Sequence, residues 1–280
     1  MKKLILPFIL LSMASGLSSA FMLWNSNYQL IWAGSFLATF PLPFLLMILS
    51  GVLGLARTSS RLPLVQLSGI LGVILLVYSV AISNVPLHTS DYVAAGLTIY
   101  GVAFVQWYVW IYSSYGRQSS QQLVKGQTLP ESALKDLDGN SLTTASFTGA
   151  KTLIVFFRAN WCPFCMNQLK EVLKLQDELK RLGVAVKFIS NQGVSHSQKL
   201  AKKLALPPHF AILQDDDLLT AKALGIADIG GSPAGLAGYP EDTVMATVIA
   251  LNEAGEVIFG DETDNYRVRP HPDTFMDVFG

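Results

Sequence analysis

Phe156-Phe157-Arg158-Ala159-Asn160-Trp161-Cys162-Pro163-Phe164-Cys165 holds both cysteines of the 280-residue chain. The apolar run Thr152-Leu153-Ile154-Val155-Phe156-Phe157 leads into it and reads as a buried strand; Met166 to Leu182 follows with a helical period. Strand, short loop, Cys-x-x-Cys and helix together make a reactive dithiol. Cys162 is expected at the helix N-terminus, where unpaired N–H groups and the helix dipole favour the thiolate. Pro163 suits the first helical position, where no N–H is needed. Two intervening residues place Cys165 one turn along, within reach of Cys162 for a small disulfide ring. Arg158 adds positive potential nearby, and Trp161 is expected to cover the flank of the site.

Two cysteines build neither a disulfide framework nor a four-cysteine zinc site. The spacing of His196, His209 and His271 matches no zinc pattern. No metal and no cofactor is therefore expected. His196 and His209 read as helix-cap and strand-edge residues. Tyr239 and Asp242 fall on a Gly- and Pro-rich insertion and are minor candidates for the site.

The chain is 51% hydrophobic and only 14% charged, with zero net charge, and the imbalance is local. Before Arg117 the only charged side chains are Lys2, Lys3, Arg57, Arg61 and Asp91. From Arg117 onward there are 16 Lys and Arg against 19 Asp and Glu, a balance that gives no reason to expect nucleic-acid binding, which needs a basic surface. The N-terminal part, residues 1–115, is expected to be an α-helical membrane bundle with spans at about 4–23, 30–55, 63–82 and 92–112. The first run follows Lys2 and Lys3 and is long for a signal-peptide core. An uncleaved span is expected ahead of a signal peptide cut near Ser18-Ser19-Ala20. Pro41 and Pro43 predict a kink in the second span. No ionisable residue falls inside a span, so an anchor or a docking surface for a membrane-protein partner is expected rather than an ion path. Gly51-x-x-Gly54 and Gly69-x-x-Gly72 are weak signs of close helix packing.

Lys2, Lys3, Arg57, Arg61, Arg117 and Lys125 fall on one side of a four-span chain, and the other side has no Lys or Arg. This predicts a multi-pass protein of the cell's inner (plasma) membrane with its C-terminal domain in the cytoplasm. There the resting state is the reduced dithiol.

Residues 116–122 read as an exposed linker, and residues 123–280 as one α/β domain. Asp138-Gly139 and Glu253-Ala254-Gly255 mark hairpins. Val184 to Ser190, Ala211 to Leu213 and Thr243 to Leu251 read as strands. Ser195 to Leu204, Leu218 to Leu224 and Pro272 to Val278 read as helices, and residues 226–242 as a long irregular insertion.

Phe-Phe-Arg-x-x-Trp-Cys-Pro-Phe-Cys, the Leu129-Pro130…Asp136-Leu137-Asp138-Gly139 hairpin and the Val248-Ile249-Ala250-Leu251…Gly255-Glu256-Val257-Ile258 hairpin resemble the redoxin group. This group belongs to the thioredoxin-fold superfamily, and the likeness is to its peroxiredoxin-like branch. It covers residues 123–280 only. It implies a thioredoxin-like fold and an antioxidant or thiol-disulfide oxidoreductase acting on a protein disulfide or a hydroperoxide, with an external thiol reductant. In the first reading Cys162 attacks a substrate disulfide and Cys165 resolves it. In the second Cys165 attacks a hydroperoxide and Cys162 resolves the sulfenic acid. A third is a membrane redox sensor without turnover. The first is the leading expectation. The sequence departs from both enzyme patterns. Phe156 stands where thioredoxins carry a buried acid, and Ala246, before Thr247, where they carry a cis-proline. Met245-Ala246 offers no activating arginine of the peroxiredoxin kind; Arg267 or Arg269 is left to serve from another direction.

Overall fold

The computed structural model describes residues 2–26, 28–82 and 88–280. These form two compact units, Lys3–Ser114 and Tyr115–Gly280.

The first unit contains α1 (Ile5–Asn25), α2 (Gln29–Thr39), α3 (Pro41–Pro43), α4 (Pro63–Ile82) and α5 (Thr89–Trp107). π-Helical turns extend it over Phe44–Ser50 and Tyr108–Tyr112. Four helical stretches, Ile5–Asn25, Gln29–Ser50, Pro63–Ile82 and Thr89–Tyr112, are long and apolar enough to cross a membrane. The second ends at Ser50, short of the expected residue 55. Leu53 N–H donates to the Ile48 carbonyl at 2.9 Å and Gly54 turns with φ +82°, so hydropathy ran on past the last helical turn.

The prolines do not end that helix: Phe40, Pro43 and Phe44 all keep right-handed helical angles. Their cost appears in the hydrogen bonding. Pro43 cannot donate to the Thr39 carbonyl, and the Ser12 hydroxyl of α1 donates to it instead at 2.7 Å. Helices α2 and α4 approach closely at two glycines. A Cβ on Gly34 would lie 2.6 Å from the Gly72 carbonyl oxygen, and one on Gly72 2.5 Å from that of Gly34.

Asp91 departs from the expectation of no ionisable residue within a span. It lies in the first turn of α5 and is buried. Its carboxylate accepts the His88 N–H at 2.8 Å, completing a capping box that satisfies the helix start.

The second unit is built on a mixed seven-stranded sheet of order β2-β1-β5-β4-β3-β8-β9. Its strands are β1 (Ala133–Lys135), β2 (Ser141–Thr143), β3 (Lys151–Phe156), β4 (Val184–Ser190), β5 (Phe210–Gln214), β8 (Thr247–Leu251) and β9 (Val257–Asp261). β6 (Ala227–Asp228) and β7 (Thr243–Val244) form a separate pair. β3 runs parallel to β4 and antiparallel to β8, and nearly all of β3 is buried, as a continuous β-branched and aromatic run requires of a central strand. Ile154, Phe156, Ile189, Leu213, Ile249 and Leu251 share one core on the sheet. The helices are α6 (Pro163–Lys174), α7 (Gln176–Arg181), α8 (Val194–Leu204), α9 (Leu219–Ala223) and α10 (Pro272–Phe279).

Three expectations are corrected. The helical run read as continuing to Leu182 breaks at Leu175, while its start at Pro163 with Cys162 as N-cap is as expected. The strand read as Thr243 to Leu251 is interrupted at Met245-Ala246, because β7 turns away to pair β6 inside the supposedly irregular 226–242 insertion. Residues 116–122 are no free linker. Arg117 N–H donates to Asp264 Oδ1 at 2.6 Å, its Nη2 to Thr247 Oγ1 at 2.8 Å, and Ser120 N–H to Glu262 Oε1 at 2.7 Å. A polar composition that looked solvated supplies side-chain and backbone bonds to β8 and to the segment after β9.

Candidate functional site

β3 ends at Phe156, and the chain turns through Arg158 to Asn160 into the N-terminus of α6. Cys162 is the N-cap, with φ −88° and ψ 107°, and Pro163 follows as the first helical residue. No acidic residue occupies the first turn, so nothing opposes the positive end of the helix dipole. Phe164, Cys165, Gln168, Leu169 and Val172 form the buried stripe of α6. Cys165 belongs to that stripe, so the helical period itself carries it into the interior. Both cysteines are reduced; Cys162 is 1% exposed and Cys165 fully buried.

Arg269 Nη2 donates to Cys165 Sγ at 3.4 Å. The guanidinium comes from the segment before α10 and is itself buried. Arg158 stands on the other side of the site. Its guanidinium lies 4.7 Å from the centre of the Trp161 ring and 5.0 Å from that of Tyr266. Its Nη2 donates to the Gly231 carbonyl and lies 3.8 Å from Asp228 Oδ2. The Arg158 carbonyl accepts from Thr243 Oγ1 at 2.8 Å and from Ser190 Oγ at 3.3 Å. A buried cation persists only with such partners. The 226–242 insertion thus holds Arg158, whose guanidinium lies over the Trp161 ring.

The two thiols are pushed apart. Burial drives Cys162 well above the usual thiol range, and its hydrogen bond to Cys165 and the charge there push the same way. Burial also raises Cys165, but three effects outweigh it: the hydrogen bond from Cys162, the charges of Arg269 and Arg158, and the bond from the Arg158 backbone N–H. Together they lower Cys165 to about 6. The charges and hydrogen bonds thus favour the thiolate on Cys165 and the thiol on Cys162.

Of the residues singled out in the sequence, Cys162, Cys165, Arg158, Trp161 and Pro163 come together here. The three histidines do not. The ring of His196 stacks on that of Tyr239 at 4.1 Å, His209 Nε2 meets the Gln176 carbonyl at 3.0 Å, and His271 caps α10. Asp242 accepts the Gly230 N–H at 2.7 Å and so shapes the insertion. Among the described residues no group of three or more His, Cys, Asp or Glu is placed to hold a metal ion. Asp228, Tyr266 and Tyr115 were not foreseen. Tyr115 Oη accepts the Ala246 N–H at 3.0 Å, a bond that a proline at this position could not make. Nothing in the local sequence around these three residues marks them.

The chain belongs to the Redoxin family, whose model matches residues 124–274. Its second unit therefore has the thioredoxin-like α/β fold of that group. Peroxiredoxin Q of the Populus jackii chloroplast is 33% identical over 119 residues, covering 42% of this chain and 55% of the relative. Peroxiredoxin Bcp of Escherichia coli K12 is 30% identical over 104 residues, covering 37% of this chain and 65% of the relative. In both cases less than two thirds of the relative's own length is matched. Among solved structures, reduced Prx3 of Vibrio vulnificus in complex with H2O2 aligns with a TM-score of 0.49 at 20% identity, covering 56% of this chain and 99% of that one.

Proposed function

We propose that the protein is a membrane-anchored two-cysteine thiol peroxidase in which Cys165 attacks and Cys162 resolves. The observation that carries this reading is the Arg269 contact on Cys165 Sγ, which singles out one of two adjacent thiols. It reverses the leading expectation from the sequence, in which Cys162 struck first. A raised, N-capping thiol is a poor nucleophile beside a thiolate one turn away.

The steps balance as follows. The Cys165 thiolate attacks one oxygen of a hydroperoxide; an S–O bond forms, the O–O bond breaks, and the alkoxide or hydroxide leaves with a proton. Cys165 is oxidised to sulfenic acid, and the substrate is reduced to an alcohol or water. The Cys162 sulfur, by then a thiolate, displaces the sulfenic hydroxyl, which takes a proton from solvent and leaves as water, closing the Cys162–Cys165 disulfide. An external dithiol reopens it. The raised Cys162 S–H, already hydrogen-bonded to Cys165, stands next to the departing oxygen and suits the supply of that proton. Arg158 and Arg269 stabilise the negative charge that passes from sulfur to the leaving oxygen. The anchor is the four apolar helices, with the charge bias of their connections favouring a cytoplasmic redoxin domain.

The test is hydroperoxide consumption by the full chain with a dithiol reductant. Cys165→Ser should abolish it. Cys162→Ser should complete one turnover and leave a trappable sulfenic acid on Cys165. A sulfenic acid that forms on Cys162 in Cys165→Ser, and none on Cys165, would overturn the assignment.

A further inference from the structure

Residues Tyr115–Ser120 form a strap at the start of β8, where Tyr115 and Arg117 bond Ala246 and Thr247. β3 and β8 pair up to Phe156 and Thr247, so Ala246 lies one residue beyond the last rung. That places its backbone level with the loop that leaves β3 towards Arg158 and Cys162. No neighbouring strand pairs Ala246; its polar groups go to the strap. Its N–H donates to Tyr115 Oη at 3.0 Å, and its carbonyl accepts from Arg117 Nη2 at 3.4 Å. The same guanidinium bonds Thr247 Oγ1 at 2.8 Å. The strap is fastened in turn: Tyr115 N–H donates to the Asp264 carbonyl at 2.8 Å and Arg117 N–H to Asp264 Oδ1 at 2.6 Å.

An extended polypeptide that presents a disulfide to a buried thiol is held by main-chain bonds to backbone that no strand pairs, as at Ala246. Here the donor and the acceptor are already engaged. A hydroperoxide needs neither. From this geometry we infer that Tyr115 and Arg117 set the substrate class, keeping polypeptide disulfides off the site and leaving it to small oxidants. The inference rests on the reading that Cys165 is the attacking thiolate and deepens it by naming what excludes the competing substrate.

The test uses the full chain in detergent with Cys162→Ser, so that Cys165 is its sole thiol. In the reaction Cys165 displaces one sulfur of a disulfide; one S–S bond forms as another breaks, and the departing thiolate takes up a proton. Two rate constants for mixed-disulfide formation are measured, one with 2,2′-dithiodipyridine and one with a disulfide-linked pair of neutral decapeptides. Their ratio cancels any change in the intrinsic reactivity of Cys165. Adding Tyr115→Phe and Arg117→Gln should raise the peptide-to-small ratio by about tenfold or more, the loss of two competing hydrogen bonds. Tyr115→Phe alone keeps the ring and its packing, and should raise the ratio by about threefold. A ratio that stays constant in both variants overturns the inference. If Cys165 fails to react even with the small disulfide, the peroxidase reading falls instead. The same ratio measured at Cys162 in Cys165→Ser then decides the role of the strap.

Discussion

Arg269 and Cys165 are 104 residues apart, and the proposed choice of Cys165 as nucleophile rests on their contact. The chemistry has a definite pH signature. In the proposed mechanism the Cys165 thiolate is the reactive form; it is present above about pH 6 and is lost as pH falls through that value. Alkylation of Cys165 in Cys162→Ser should therefore be nearly flat from neutral to mildly alkaline pH and drop on acidification. The serine hydroxyl still donates to Cys165, so this variant keeps most of the depression. Arg269→Met removes a charge within direct contact of the sulfur. It should move the alkylation midpoint upward by about one pH unit or more. The smaller thiolate fraction should slow peroxide consumption at neutral pH by about twofold, and lost stabilisation of the leaving oxygen adds to this. An unmoved midpoint would show that Arg269 packs against the sulfur without tuning it. At this scale the sequence named the cysteines, because spacing and a preceding apolar run suffice for that. It left Arg267 and Arg269 undecided. In Tyr266-Arg267-Val268-Arg269 both arginines become buried, and which one meets the sulfur depends on the fold around them.

At the scale of the element, α6 carries the site. Its stripe of Phe164, Cys165, Leu169 and Val172 seats the helix on the domain core, so the packing that holds the helix also sets the position of the thiolate. Leu169 is fully buried. Leu169→Ala should cost about 2–5 kcal/mol of stability, the usual range for a leucine lost from a core. Urea unfolding of the full chain, followed by proteolytic susceptibility of the redoxin domain, measures this; a loss well below that range would mean that α6 is held mainly by its loop. The start of this helix could be read from Pro163 and its amphipathic run. Its break at Leu175 could not, because apolar and charged positions keep a helical period across it. The same contrast recurs at β7 and β8. Thr243 to Leu251 has the composition of one long strand, and only the pairing of β6 with β7 breaks it at Met245-Ala246. That break creates the unpaired Ala246 on which the strap closes.

At the scale of the whole molecule, charge divides the chain more sharply than any motif. An apolar unit and a charged unit meet between Ser114 and Tyr115. The proposed orientation is open to a direct test with introduced thiols, so that the redox site is not itself the probe. Exposed positions suit this. In a chain lacking Cys162 and Cys165, Asn25→Cys should react with an impermeant maleimide in intact cells, and Ala254→Cys only after lysis. The opposite pattern would place the redoxin domain outside the cytoplasm.

By itself the sequence determined the apolar helical half, the α/β half, and the dithiol at a strand–helix junction. Each of these rests on local periodicity, charge distribution or short spacing. Only the tertiary structure brought Arg269 onto Cys165 rather than Cys162, held Arg158 with an insertion some 70 residues further on, and bonded an apparent linker to Ala246 and Thr247. The physical reason is the same in each case. A thiol's charge state and a strand edge's availability depend on which distant groups are packed against them out of water, and no short stretch of sequence records that neighbour list.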